Sequence, residues 1–151
     1  MVKEMEENRI TYLQMIQSSI DRMSTSSAIF KGFAATVFIG LAAISFTEVS
    51  SLILWLSLIP VLCFAIMDVF YLQLERRYRY LYEQVRKGKT DVTFELAPPK
   101  VKYIKHECLQ NKQECNVSIW SCIKSISISG FYPLLFLLGL ALPILNICGV
   151  I

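Results

Sequence analysis

AIFKGFAATVFIGLAAISF (Ala28–Phe46) and LILWLSLIPVLCFAIMDVFYL (Leu52–Leu72) are two apolar runs separated only by TEVSS (Thr47–Ser51). Each is close to the ~20 residues that a helix needs to cross roughly 30 Å of hydrocarbon. A connection this short admits only antiparallel neighbours, so the pair reads as a membrane hairpin. A third run, FYPLLFLLGLALPILNICGVI (Phe131–Ile151), has the same length and character. With 54% apolar residues and a mean hydropathy of +0.49, the 151-residue chain lies above a soluble composition, and lipid is the expected solvent for much of it.

Basic residues around the runs predict their orientation, because Lys and Arg beside a span stay in the cytosol. Lys3, Arg9 and Arg22 precede the first run and Lys31 lies in its first turns; the other eleven, from Arg76 to Lys124, fall between the second and third runs. The hairpin turn and the C-terminal tail contain none. An N-terminus in the cytosol and a C-terminus outside follow. The polar start, MVKEMEEN, lacks an apolar h-region and predicts no cleavable signal. The net charge of +3 is too small and too scattered to suggest nucleic-acid binding.

Ahead of the first run, Ile10, Leu13, Ile16, Ile20 and Met23 recur at steps of three and four, the period of one helix face. The other sides carry charges of both signs. That mixture favours packing against a partner helix over lying on headgroups. Past the second run, Leu74, Tyr78, Leu81 and Val85 make a stripe that Gly88 should stop, so the span is expected to continue as a cytosolic stalk. Asp91–Leu96 and Ile123–Ser129 alternate polar and apolar residues like short strands, with Pro98-Pro99 between; Lys100–Ser129 also reads as helix. The expected organisation is an amphipathic helix over 1–27, a hairpin over 28–72 (spans 28–46 and 52–72), a stalk and small soluble region over 73–129, and a third span over 130–151. The expected fold class is an all-α-dominated integral membrane protein: three transmembrane helices with a small α+β cytosolic part.

Lys31 and Asp68 are ionisable residues inside the runs, where charge is costly and is usually paired or functional. Both lie one or two turns from the cytosolic end of antiparallel helices. Two arrangements satisfy them: an ion pair across the hairpin, or a snorkelling Lys31 beside a wetted Asp68. Arg76, Arg77, Arg79, Arg86 and Lys87 form a basic collar suited to anionic lipid or phosphate, or serve as the topology signal alone. Interleaved Glu75 and Glu83 favour the second. Cys108, Cys115 and Cys122 recur every seven residues near His106, but thiols two turns apart are ~10 Å from one another on a single helix, too far to share a zinc ion. Reduced, partly buried thiols are the better reading; Cys63 and Cys148 fall within runs and behave as small apolar residues. No catalytic motif is present, and Ser45 and Ser57 have no evident base, so no enzyme, cofactor or metal is expected. Gly32, Ala34, Ala35, Gly40, Ala42 and Ala43, with Gly139 and Ala141, permit close helix approach. Three thin spans have little interior in which to hide ionisable groups, which argues for a homo-oligomer.

Three groups of residues together resemble a family of small bacterial membrane proteins named after RipA. The first is Arg22-Met23, a small polar run, then Lys31-Gly32-Phe33 and Thr36. Next come Asp68, Tyr71-Leu72, Glu75-Arg76 and Leu81-Tyr82, and last Trp120 through Phe131-Tyr132. Phe33 stands where the family pattern has Trp, and Ser26 where it has Asn; the cysteine series is not part of the pattern. The resemblance implies an octamer in a bacterial cytoplasmic membrane, linked to envelope fitness or survival within a host cell, and no known reaction. The expected function is a non-enzymatic ring whose cytosolic crown binds a partner, lipid or small ligand. The alternative is a pore or permeability effector with a cytosolic sensing part.

Overall fold

The computed structural model describes residues 2–44, 55, 58–110 and 116–147. The hairpin turn Thr47–Ser51, with Ser45, Ser57, Lys112, Cys115 and Cys148, lies outside the described residues. Among the described residues five helices are delimited: α1 Val2–Ile44, α2 Leu58–Arg86, α3 Val101–Gln110, α4 Ile119–Ile123 and α5 Ile126–Ile147. The expected amphipathic helix and first span are one unbroken element; its 43 residues extend roughly 65 Å, about twice the thickness of a hydrocarbon core. Nothing between Met23 and Lys31 breaks it, because Ser26 returns its hydroxyl to the Arg22 carbonyl at 2.9 Å instead of capping.

The chain divides into two compact units. One, the amphipathic unit, comprises Met1–Ser26 and Phe70–Cys122. Its core is Tyr12, Ile16 and Ile20 of α1 against Leu81 and Val85 of α2, with Leu13, Tyr78, Tyr82, Val92 and Leu96 around them. The partner of the amphipathic helix is thus the stalk of the same chain. Ile10 is a correction: it is 57% exposed, and Tyr12 takes the inward position, because a ring there is capped by its own hydroxyl on the Glu95 carbonyl at 2.7 Å. A second cluster joins Ile104 and Cys108 of α3 to Val117, with Tyr80 and Val101 beside it. Gly88 ends α2 as expected. At φ 68° it donates to the Val85 carbonyl while Lys89 donates to that of Gln84, the paired bonds of a Schellman cap.

Among the described residues there is no strand, so the α+β part is corrected to helix and irregular chain. Asp91–Leu96 has no neighbouring edge to pair with; its carbonyls accept instead from Tyr12 at Glu95 and from Tyr78 at Leu96, 2.9 Å. Arg77 extends the pattern, donating to Pro98 and Pro99 at 3.0 Å each. Ile123–Ser129 is helical apart from Lys124 and Ser125, and the Ser125 carbonyl receives the first bonds of α5 from Ile128 and Ser129. α5 therefore starts four residues before the expected span.

The apolar unit comprises Ser27–Val69 and Ile123–Ile151. Ala34 and Phe38 of α1, Val61 and Asp68 of α2, and Ile128, Tyr132 and Leu135 of α5 are its buried residues. Phe33 stacks on Phe64 with centroids 6.2 Å apart. Gly139 lets α5 close on Leu58 and Phe38: a Cβ there would stand 2.6 Å from Leu58 Cδ2. Two helices, Glu4–Ala43 and Leu58–Arg86, are long and apolar enough to cross a membrane. Only 11% and 17% of their most apolar windows are buried, whereas the core helix of a water-soluble domain is mostly covered. α5 is apolar over the shorter stretch Ile126–Ala141.

Candidate functional site

Helical spacing alone puts Ser27 and Lys31 on one face of α1, one turn apart. Asp68 faces them from α2. Lys31 Nζ donates to Ser27 Oγ at 2.8 Å, Ser27 Oγ donates to Asp68 Oδ1, and Lys31 Nζ lies 2.6 Å from Asp68 Oδ2. The Asp68 side chain is fully covered, while that of Lys31 keeps 20% exposure. The Tyr132 hydroxyl of α5 lies 3.4 Å from the Phe64 carbonyl, one turn before Asp68 on α2. Oδ2 is compensated by the Lys31 ammonium beside it.

Both partners of this pair come from one chain. The burial of Asp68 is complete without a second subunit, so the inference of an oligomer from ionisable groups needing cover loses its premise. Ser27 completes a site that the two charges alone did not specify; the visible signal was a hydroxyl one turn before Lys31. Asp68 thus ties Ser27 and Lys31 of α1 to α2. The arrangement is a lock between helices.

The basic collar is dispersed among separate tasks. Arg76 Nη1 donates to the Asn116 carbonyl at 2.6 Å and to Ser121 Oγ at 3.1 Å, and Arg77 binds the Pro98-Pro99 carbonyls. Arg79 pairs with Glu75 at 2.7 Å. Arg86 and Lys87 both reach Glu83, at 2.9 and 3.7 Å. The residues do not converge on a single anion cradle. Arg79 and Arg86, at 63% and 59% side-chain exposure, retain the most surface.

Cys108 and Cys122 lie on different helices, α3 and α4, so the seven-residue repeat does not form one stripe. Among the described residues no three His, Cys, Asp or Glu side chains gather where they could hold an ion. Burial pushes the Cys122 thiol up from its ordinary range, and the Arg76 guanidinium opposes the shift without reversing it. In the same unit Tyr80 donates to Glu107 Oε2, and Gln84 donates to Oε1 at 3.2 Å. Burial first, then the Glu107 carboxylate, raises the Tyr80 phenol above its usual range. Compared with known proteins, the chain matches no family model, no curated sequence and no solved structure.

Proposed function

We propose that this chain is a non-enzymatic, three-span protein of a bacterial cytoplasmic membrane that assembles into a ring of identical subunits, its amphipathic unit forming a cytosolic crown. The observation that carries this reading is an outward face of small residues on α1. Gly32, Thr36 and Gly40 follow at four-residue steps and are exposed, and a Cβ at either glycine would meet nothing within 4 Å. Ala34 and Phe38 fill the interior instead, so the first run carries two packing faces, and among the described residues one of them is covered. In lipid, where apolar burial drives little association, a small-residue face is the feature that lets helices of separate chains approach.

The placement of all fifteen basic residues outside the hairpin turn and the chain end supports the orientation. Resemblance to the RipA family supports the octameric count and the link to envelope fitness. A pore has less to draw on: the one hydroxyl of the small face, Thr36, is turned back to the Gly32 carbonyl at 2.9 Å. The test is subunit counting by native mass spectrometry from nanodiscs, on the wild type and on Gly32→Leu with Gly40→Leu. A closed wild-type ring that the leucines break into smaller species is the expected result. A monomeric wild type overturns the assembly, and a ring unaffected by the leucines removes α1 as its interface.

A further inference from the structure

α4 turns apolar side chains outward as well as inward. Cys122 faces inward at 0% exposure, while Ile119, Trp120 and Ile123 are exposed at 46%, 73% and 39%. A helix solvated by water would present polar side chains there. Ile119, Trp120 and Ile123 follow at one and three residues and share a side of the helix. An aromatic of this kind, with an apolar body and a single N–H, is characteristic of a headgroup boundary.

Two independent constraints tie α4 to chain that adjoins the ends of the apolar runs. Covalently, α5 begins three residues after Ile123. Through hydrogen bonds, the segment entering α4 is tied to the first polar turn of α2 past Leu72: Gln73 Nε2 donates to the Val117 carbonyl at 3.1 Å, and Arg76 donates to Asn116 and Ser121. Gln73 directly follows the second apolar run, and Arg76 is one turn further on. Lys124 follows the helix at once and is exposed, which suits anionic headgroups.

We infer that α4 is an interfacial anchor, with Ile119, Trp120 and Ile123 seated in the headgroup–acyl boundary of the cytosolic leaflet, about 5–10 Å below the surface. The inference rests on the membrane reading above and adds a lipid contact to it. Gln73 and Arg76 then couple the exit of α2 to a helix that rides on lipid, so that the lipid surface positions the stalk.

The chain has two tryptophans, which makes each accessible to a single-tryptophan variant. Trp55→Phe leaves Trp120; Trp120→Phe leaves Trp55, within the second apolar run. Full-length protein is reconstituted in phosphatidylcholine vesicles brominated either near the glycerol end or near the chain terminus, and in unlabelled vesicles titrated with acrylamide. Trp120 should lose most of its emission to the shallow bromines, little to the deep ones, and should resist acrylamide. Quenching of Trp120 by acrylamide alone places it in water and overturns the anchor. Resistance to both lipid bromine and acrylamide places it under protein, as in a contact with a second copy, and overturns it equally. Trp55 separates the two readings: if bromolipids quench Trp55 but not Trp120, only the anchor fails, whereas if they quench neither, the membrane placement itself fails.

Discussion

Asp68 and Ile16 are equally inaccessible, at 0% exposure each, yet their surroundings are opposite. Ile16 is enclosed by Tyr12, Ile20, Leu81 and Val85, and the surface around that core carries charges such as Glu6, Asp21, Arg79 and Arg86. Asp68 is enclosed by Ser27 and Lys31, and its unit turns Ile29, Phe33, Ile39, Leu62, Ile66 and Leu137 outward. The amphipathic unit hides hydrocarbon from a polar medium. On the proposed membrane reading, the apolar unit hides charge from a medium that cannot solvate it. One helix, α1, supplies residues to both interiors, so the change of rule is written within a single element.

The largest expected effect breaks the charged interior. Asp68→Ala leaves Lys31 without its counter-charge and should cost about 3–5 kcal/mol, whereas Lys31→Met with Asp68→Leu should recover most of the loss. Thermal stability in detergent checks this; equal losses from single and double variants would mean that the two charges are not coupled. On the other side of the comparison, Ile16→Ala opens a cavity in the hydrocarbon interior and should cost about 3 kcal/mol. Amide exchange should then rise in the first half of α1 and the last turns of α2, with α5 unchanged. Gly88→Ala is smaller, about 1 kcal/mol, because alanine must hold the left-handed backbone of the α2 cap; faster exchange at residues 84–88 is its signature.

A pH series sharpens the contrast from the polar side. Tyr80 titrates above its ordinary range in the fold, so the unfolded chain loses the phenolic proton first. Stability from Tyr80 is therefore complete below about pH 10 and declines as pH rises beyond it. Tyr80→Phe should flatten part of that alkaline decline in a chemical-denaturation series, and an unchanged slope would remove the Tyr80–Glu107 bond as its source. Least of all, Arg86→Ala breaks an exposed pair with Glu83 and should change stability by about 0.5 kcal/mol or less.

What could be read from residue order follows the same division. Lys31 and Asp68 are legible as neighbours because a five-residue connection forces antiparallel runs and both sit near the same end. Ile16, Ile20, Leu81 and Val85 are legible from helical period, and Gly88 from its place after the last of them. The two alternating stretches misled because six or seven residues at period two also fit irregular chain or the start of a helix, and no strand survives without a paired edge. Ile10 misled because the stripe counts only hydrocarbon, while Tyr12 buries a ring and still finds an acceptor at Glu95, eighty-three residues away. Such a distant bond leaves no local pattern. The dispersal of Arg76 and Arg77 onto separate carbonyl groups is hidden for the same reason.

The four carbonyls at Glu95, Leu96, Pro98 and Pro99 are all read by side chains of α1 and α2. Every amino acid offers a carbonyl, so this recognition is blind to the identity of the residue that carries it. Substitution pressure is consequently one-sided: Tyr12, Arg77 and Tyr78 are constrained, whereas exposed Glu95 is free to drift without loosening the grip. Lineages of this protein would keep the three donors and the apolar Val92 and Leu96 against the core, and let Glu95 wander.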